Sequence, residues 1–442
     1  MHRSPGPEAT RSQRWLARLS LVLACLAVVI VVALAGLASF AMVAVGVVGA
    51  ALTLAAAYLF LSRRGVVRWV SLAVAVLAPI AVIVAHAFAG LLWIAILGAA
   101  VWLLAGVTAR LALAGDRSTD WRMPEYPAQP RAAHPFLIMN PKSGGGKVGR
   151  FDLKRKAEGL GAEVFLMDGP EEVDVAAVAR DAVARGADLL GVAGGDGTQA
   201  LVAGVAAQHG IPFVVITAGT RNHFALDLGL DREDPAASLD ALSDGVELHV
   251  DLGEIGGQTF VNNASFGAYA EVVQTPAYRG DKMRTTLELL PDLLQGHEGA
   301  RLEARADGTR IEAPQALLVA NNPYGMGDVA GLGRRARLDG GILGVVGVKV
   351  ASAAQAVGLL RGAQATGLSV LTTRQIEVTA DAPQIPVGID GEAVRLPTPV
   401  QCTVHPGALR VWVPRHRPGV PRPKPEMNWP RLRELAFGRR PH

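Results

Sequence analysis

The chain has 442 residues, a formal net charge of +4 at pH 7 and two cysteines. Its length allows two or three domains, and two cysteines far apart in the chain exclude a disulfide framework, which fits a reducing compartment. Much of the positive charge comes from arginine clusters beside apolar segments and from the C-terminal tail. The net charge therefore does not indicate a nucleic-acid partner, and none is expected.

Residues 1–115 are predicted to form four transmembrane helices. No Asp or Glu occurs between residues 9 and 115, and each apolar run has about the 20 residues that a bilayer crossing requires. A cleaved signal peptide is the competing interpretation, but three more apolar runs follow the first. The positions of the arginines predict that both termini and the globular part of the chain are cytoplasmic. The expected location is the plasma membrane, as a multi-pass protein. The four predicted spans are 16–36, 39–61, 67–89 and 91–113.

The rest of the chain divides into four predicted segments. Residues 116–132 contain three prolines and are predicted to be a linker. In residues 133–245 short apolar runs alternate with helical patterns, which predicts βαβ units and a parallel sheet. Residues 246–414 contain many predicted strands, with helical stretches near 282–296 and 352–364, and are predicted to be a mostly antiparallel β lobe.

The C-terminal segment, residues 415–442, is a basic tail rich in proline. A disordered, solvated tail is the favoured interpretation. The alternative is an amphipathic piece that docks on anionic lipid.

Three loops that carry glycine follow predicted strands of the α/β lobe. The loop at 194–198 reads Gly-Gly-Asp-Gly-Thr and leads into a helix. Backbone N–H groups at such a helix start attract phosphate, and Asp196 is placed to hold Mg²⁺ beside it. The loops at 140–147 and 218–225 also follow strands. Because the carboxyl ends of parallel strands meet at one edge of a sheet, the three loops together predict a nucleotide site.

These loops, together with Asp390-Gly391-Glu392 in the β lobe, resemble the diacylglycerol kinase catalytic family. That family includes bacterial diacylglycerol and lipid kinases and the sphingosine and ceramide kinases. The resemblance covers about residues 134–414. With the apolar spans, it implies a multi-pass α-helical membrane segment followed by a two-lobed α/β plus β-sandwich lipid-kinase fold that uses ATP and Mg²⁺.

By this resemblance, Asp390 and Glu392 reach in from the β lobe, and one of them accepts the proton of the lipid hydroxyl. From the residues alone, Asp390-Gly391-Glu392 is better explained as a hairpin turn; the family pattern reverses that preference. Asp196 lies beside the phosphates and the metal. The implied nucleotide-binding residues are Asn140, Pro141, Lys142, Ser143, Gly144, Gly194, Gly195, Gly197, Thr198, Thr220 and Asn222.

Two positions depart from the family pattern. His223 stands where relatives usually have aspartate, which puts the role of that aspartate in doubt. Gly340 stands where bacterial relatives often have the second aspartate of an Asp-Asp-Gly sequence that binds a structural Mg²⁺. Asp339 is then the remaining candidate ligand, and the metal there is expected to be weak or absent.

The leading hypothesis is a membrane-anchored lipid kinase that acts in phospholipid biosynthesis. It would transfer the γ-phosphate of ATP to a primary lipid hydroxyl, most simply converting diacylglycerol to phosphatidate. The expected partners are this lipid substrate and the bilayer, and a homodimer is left open. The alternatives are a nucleotide-binding membrane regulator with little kinase activity and a kinase of a sphingoid or polyprenol lipid.

Overall fold

The structure is a computed structural model in two units, one made of the apolar helices with the C-terminal segment and the other of the remaining chain. The predicted helical stretches near 282–296 and 352–364 both lie outside the described residues. The described residues are 10–36, 38–63, 65–114, 123–128, 130–169, 173–267, 270, 300–325, 334–349, 368–420 and 429–438.

The N-terminal unit contains four long apolar helices, as the sequence predicts. All four are long and apolar enough to cross a membrane. Helix α1 packs on α4, and α2 packs on α3. Large apolar side chains such as Trp69 and Phe88 remain exposed on their surface, an arrangement that is favourable in lipid and costly in water. The helices are α1 (Arg11–Ala35), α2 (Ala38–Ser62), α3 (Gly65–Phe88) and α4 (Leu92–Ala114).

The α/β lobe is built on four parallel strands in the order β3-β2-β4-β5. Strands β2, β4 and β5 are buried throughout, because helices and loops cover both faces. The elements are β1 (Tyr126–Pro127), β2 (Pro135–Met139), α5 (Lys147–Arg150), α6 (Leu153–Gly159), β3 (Glu163–Leu166), α7 (Val175–Ala184), β4 (Leu189–Ala193), α8 (Asp196–Gln208), β5 (Phe213–Ile216) and α9 (His223–Asp227). A 3-10 turn covers Ser143–Gly145, and a longer 3-10 helix covers Pro235–Leu242.

The β lobe is a sandwich. Its antiparallel six-stranded sheet has the order β13-β12-β11-β8-β15-β16, and Phe266 and Val387 from this sheet share one core with Ile376 and Cys402 from the other. The strands are β6 (Gly245–Ile255), β7 (Gln258–Phe260), β8 (Asn263–Gly267), β9 (Leu302–Ala306), β10 (Thr309–Glu312), β11 (Ala316–Asn321), β12 (Leu343–Val348), β13 (Leu368–Thr373), β14 (Gln375–Ala380), β15 (Gln384–Ile389), β16 (Glu392–Pro397) and β17 (Val400–Pro414).

Strand β17 belongs to both lobes. Its first part pairs with β14, and after a bulge between His405 and Leu409 it pairs in parallel with β5. Strand β6 pairs antiparallel with β17 on both sides of this bulge. Strand β6 crosses the predicted boundary at 245/246, and its Val246, Leu248 and Val250 pack into the core of the α/β lobe. Among the described residues, one 11-stranded sheet joins the two lobes by backbone hydrogen bonds.

Parts of the predicted linker and tail are ordered. In the linker, β1 pairs antiparallel with β6, and Tyr126 stacks on the His249 ring. In the tail, residues 429–437 form helix α10 (Trp429–Phe437) rather than a disordered chain. Leu432, Leu435 and Ala436 of α10 are buried against α1 and α4.

Candidate active site

The glycine turn at 194–198 joins the end of β4 to the start of α8. Helix α8 begins at Asp196. The Gly194 carbonyl oxygen accepts hydrogen bonds from Gln199 Nε2 at 3.0 Å and from Asn222 Nδ2 at 3.1 Å. These bonds fix the turn at the start of α8, where the first backbone N–H groups have no partner within the helix and favour an anion.

The first loop packs against the third, and the third packs against this turn, backbone to backbone in both cases. A Cβ atom on Gly144 would lie 2.3 Å from the Ala218 carbonyl oxygen, and one on Gly219 would lie 2.7 Å from the Gly194 carbonyl oxygen. Any side chain at either position would force the loops apart. The three glycine-containing loops therefore meet at the carboxyl edge of the parallel sheet, as the order of the motifs predicts.

The predicted nucleotide-binding residues all lie on these loops, with different surroundings. Lys142 and Thr220 are exposed, whereas Asn222 is buried and has a left-handed backbone with φ of 50°. The Asn140 side-chain oxygen accepts from the Lys142 backbone N–H at 2.9 Å, which closes the first loop as an Asx turn. Asn222, through its bond to Gly194, ties the third loop to the second.

Asp196 connects the glycine turn to α9. Its two carboxylate oxygens accept hydrogen bonds from the backbone N–H groups of His223 and Phe224, both at 3.2 Å. The carboxylate thus caps the start of α9. Because the contact at His223 uses the backbone, the replacement of aspartate by histidine at that position leaves it intact.

Asp390 lies in the hairpin between β15 and β16, so the hairpin turn is confirmed, and a catalytic role for Asp390 stays a prediction. Its backbone is left-handed, with φ of 47°. The residue is half-buried, and its carboxylate accepts backbone N–H groups from Val261 at 2.7 Å, Asn262 at 2.8 Å and Asn263 at 2.9 Å. The three backbone N–H donors at 261–263 are not predicted from the sequence, because no local pattern links them to a residue about 130 positions away.

The environment of Asp390 raises its pKa to about 7. Burial disfavours the charged carboxylate and is the largest cause, while the three N–H groups act in the opposite direction. The negative charge of Asp196 raises the pKa further. The two carboxylates, one from each lobe, are therefore close enough to interact.

Glu392 is the first residue of β16, and its side chain lies over the glycine turn. A Cβ atom on Gly197 would lie 3.0 Å from Glu392 Cγ and 3.4 Å from its Oε1. The absence of a side chain at position 197 leaves room for this carboxylate. The structure thus brings Asp196, Asp390 and Glu392 to one site, formed where the two lobes face each other.

Two family models match the chain. Residues 134–255 match the diacylglycerol kinase catalytic domain, and residues 267–413 match the YegS C-terminal NAD kinase beta sandwich-like domain. A YegS-like lipid kinase of Pseudomonas aeruginosa is 30% identical over 306 residues, which cover 66% of this chain and 98% of that protein. The chain belongs to the diacylglycerol kinase catalytic-domain family. It is an ATP-dependent lipid kinase.

Other relatives of this lipid kinase agree with that assignment. A diacylglycerol kinase of Bacillus subtilis is 28% identical over 272 residues, which cover 58% of this chain and 88% of that protein. A solved structure from Bacillus anthracis, assigned as a diacylglycerol kinase, covers 65% of this chain and 99% of its own at 20% identity, with a TM-score of 0.52. The last likeness shows a shared fold.

Asp339, the second predicted metal ligand of this kinase, pairs with an arginine instead. Arg337 Nε lies 2.8 Å from Asp339 Oδ1, and Arg337 Nη2 lies 2.9 Å from Oδ2. A Cβ atom on Gly340 would lie 2.6 Å from Asn322 Oδ1, so this loop leaves no room for a second aspartate without a shift. Within the described ranges, no group of three His, Cys, Asp or Glu side chains is arranged for a metal. The geometry lends no support to a metal at Asp339.

The carboxylate of Asp196 suits a magnesium ion better. Its contacts with the α9 N–H groups are long, and each carboxylate oxygen has a further lone pair. Mg²⁺ in nucleotide sites is commonly held by one or two carboxylates together with substrate phosphates. Asp196 lies at the start of α8, where the backbone favours an anion, so it suits such a carboxylate role.

Proposed function

We propose that this kinase is anchored in the membrane and transfers the γ-phosphate of ATP to the hydroxyl of diacylglycerol, giving phosphatidate. The observation that carries the proposal is the position of the Asp390–Glu392 hairpin, with Glu392 Cγ 3.0 Å from a Cβ position on Gly197. Phosphoryl transfer needs a phosphate site and a carboxylate at the nucleophile within one cleft. The names of the relatives from Bacillus subtilis and Mycobacterium tuberculosis support diacylglycerol as the lipid.

The three loops bind the nucleotide in this proposal. The start of α8 receives the phosphates, and Asp196 holds Mg²⁺, which would neutralise phosphate charge. Asp339 is left out, because Arg337 contacts both of its carboxylate oxygens. The proposed nucleotide-binding residues are Asn140, Pro141, Lys142, Ser143, Gly144, Gly194, Gly195, Gly197, Thr198, Thr220 and Asn222.

Asp390 is the proposed general base. Its raised pKa of about 7 suits proton acceptance near neutral pH, since a base is most effective when its pKa lies close to the working pH. The three N–H groups at 261–263 fix the direction of its carboxylate. Glu392, over the glycine turn, then orients the lipid hydroxyl toward the phosphate.

The apolar helices are the proposed anchor. Arginines flank them on the side assigned to the cytoplasm, which supports kinase lobes on the cytoplasmic face of the membrane. The plasma membrane is the membrane proposed here. Tethering an enzyme to the bilayer that contains its substrate raises the effective substrate concentration. A homodimer is left open, and the mass of the detergent-solubilised protein would show whether one forms.

The test uses the full chain in vesicles with γ-labelled ATP and Mg²⁺. Separate vesicles carry diacylglycerol, a sphingoid base or a polyprenol. The expected product is labelled phosphatidate. If only another lipid is labelled, that lipid replaces diacylglycerol as the proposed substrate. If ATP binds but no lipid is labelled, the result favours the nucleotide-binding regulator.

A further inference from the structure

Arg335 is a completely buried arginine beside the active site. Its exposed fraction is 0%, and its guanidinium lies over the Tyr324 ring at 5.5 Å. Nε donates to Asp227 Oδ2 at 2.7 Å, and Nη2 donates to Asn262 Oδ1 at 2.6 Å. Nη1 donates to the carbonyl oxygens of Val261 at 2.6 Å and Asn321 at 2.8 Å.

A buried charge is costly unless it is paired and fully hydrogen-bonded. Here all three guanidinium nitrogens donate to protein oxygens, and one acceptor is a buried carboxylate. Replacing both members of such a pair by hydrophobic residues of similar volume is often neutral or stabilising, so the pair is weak evidence for a role in stability alone. We therefore look for a role in which the guanidinium, with donors in several fixed directions, holds its hydrogen-bond partners in position.

The partners of Arg335 connect it to both proposed catalytic carboxylates. Asp227 is the last residue of α9, whose first N–H groups bind Asp196. Val261 and Asn262, which accept from Arg335, donate their backbone N–H groups to Asp390. Arg335 thus lies in the middle of a path, made of hydrogen bonds and short backbone segments, from Asp196 in one lobe to Asp390 in the other.

We propose that Arg335 is a positioning residue for phosphoryl transfer. By binding the oxygen atoms of Val261 and Asn262, it keeps the N–H groups of the 261–263 turn directed at Asp390. Through Asp227, it fixes that turn relative to the helix that Asp196 caps. This inference rests on the proposed function, in which Asp390 is the base.

The conservative variant Arg335→Lys separates charge from geometry. Lysine retains the positive charge opposite Asp227, but its single ammonium group cannot reproduce a planar fork with bonds in several directions. The matched control is Arg410→Lys. Arg410 also forms a forked pair with a buried carboxylate, Glu247, at 3.0 and 2.7 Å, and takes no part in the proposed site.

The test measures kcat, the Kd of ATP and the thermal midpoint Tm for the full chain in diacylglycerol vesicles. For Arg335→Lys we expect kcat to fall at least about tenfold, the scale that small misplacements of reacting groups produce, with the Kd of ATP changed less than about threefold. Arg410→Lys should retain kcat even if its Tm falls as far as the Tm of Arg335→Lys. Equal losses of kcat in the two variants at equal Tm would assign Arg335 a structural role and overturn the inference.

A double-mutant cycle with Asp390→Asn tests whether Arg335 acts through the base. If it does, Arg335→Lys should lower kcat less than about threefold in the Asp390→Asn background, because coupled residues are non-additive. Fully additive losses would overturn the inference. If Arg335→Lys does not fold, Asn262→Ala serves instead, since it removes one acceptor of Arg335 and keeps the backbone donor to Asp390.

The same assay distinguishes the two proposals. A wild-type chain that labels no lipid contradicts the proposed function and the inference with it. An active wild-type chain with a fully active Arg335→Lys contradicts the inference alone.

Discussion

The α/β lobe and the β lobe both bring carboxylates to the candidate site, but they hold them by different means. Asp196 lies in a glycine turn, and its partners belong to the next strand–loop–helix unit of the same lobe. Asp390 projects from a hairpin and depends on N–H groups about 130 residues earlier in the chain. The first arrangement is built by local motifs, whereas the second exists only when the β lobe is folded.

The largest effect should come from Asp196→Asn. The amide removes the negative charge proposed to hold Mg²⁺, so lipid phosphorylation should fall by about 10³- to 10⁵-fold, the scale of transition-state charge stabilisation in phosphoryl transfer. The control is Asp188→Asn, because Asp188 also accepts two backbone N–H groups, from Ala133 and His134, but lies at the start of β4. Labelled phosphatidate measures both, and activity near wild type in Asp196→Asn would remove it from the site.

Asp390→Asn should lower kcat by about 10²- to 10⁴-fold, the usual contribution of a general base. The Kd of ATP should change little, because the nucleotide loops belong to the other lobe. Turnover assays measure kcat, and a separate ATP titration measures the Kd of ATP. A large loss of ATP affinity with unchanged kcat would assign Asp390 to binding and not to proton transfer.

The pH dependence follows from the raised pKa of Asp390. Since the base must be ionised, kcat should fall about tenfold per pH unit below pH 7 and reach a plateau above it. The folded pKa exceeds the usual aspartate value of 3.8, so ionisation of this group lowers the free energy of unfolding as the pH rises toward 7. A rate that increases over this range therefore does not reflect greater stability.

The control for that profile is Asp390→Asn. Its residual kcat should lose the acid limb between pH 5 and pH 7, and an unchanged limb in this variant would show that another group titrates. Purified chain at saturating ATP gives both profiles.

The smallest effect should come from Gly197→Ala, which probes the contact between the lobes. The new methyl group would lie 3.0 Å from Glu392 Cγ, so the flexible glutamate must shift by a few tenths of an ångström. We expect kcat to fall about three- to tenfold, as for small misplacements of reacting groups. Gly159→Ala is the control, because a Cβ atom there meets no atom within 4 Å. Unchanged kcat in Gly197→Ala would mean that Glu392 tolerates displacement.

Prediction from the sequence was strongest where the evidence is local. Four long apolar runs appear as four long apolar helices, and three glycine loops after apolar strands meet at one edge of the sheet. Both follow from short-range rules, since hydropathy selects a span and parallel strands align their carboxyl ends. The linker and tail were predicted less well, because β1 and α10 form only against partners distant in the chain.

By itself, the sequence determined the order of the segments and the glycine turn at 194–198, and only its resemblance to a known family pointed to the hairpin acids Asp390 and Glu392. Tertiary structure alone decided how those acids are held. The amides at 261–263 carry no side-chain signature, and Arg335 is one arginine among many until burial removes its water and leaves only protein oxygens as acceptors. Backbone donors and desolvated charges act through distance and exclusion of water, which exist only once the lobes are packed.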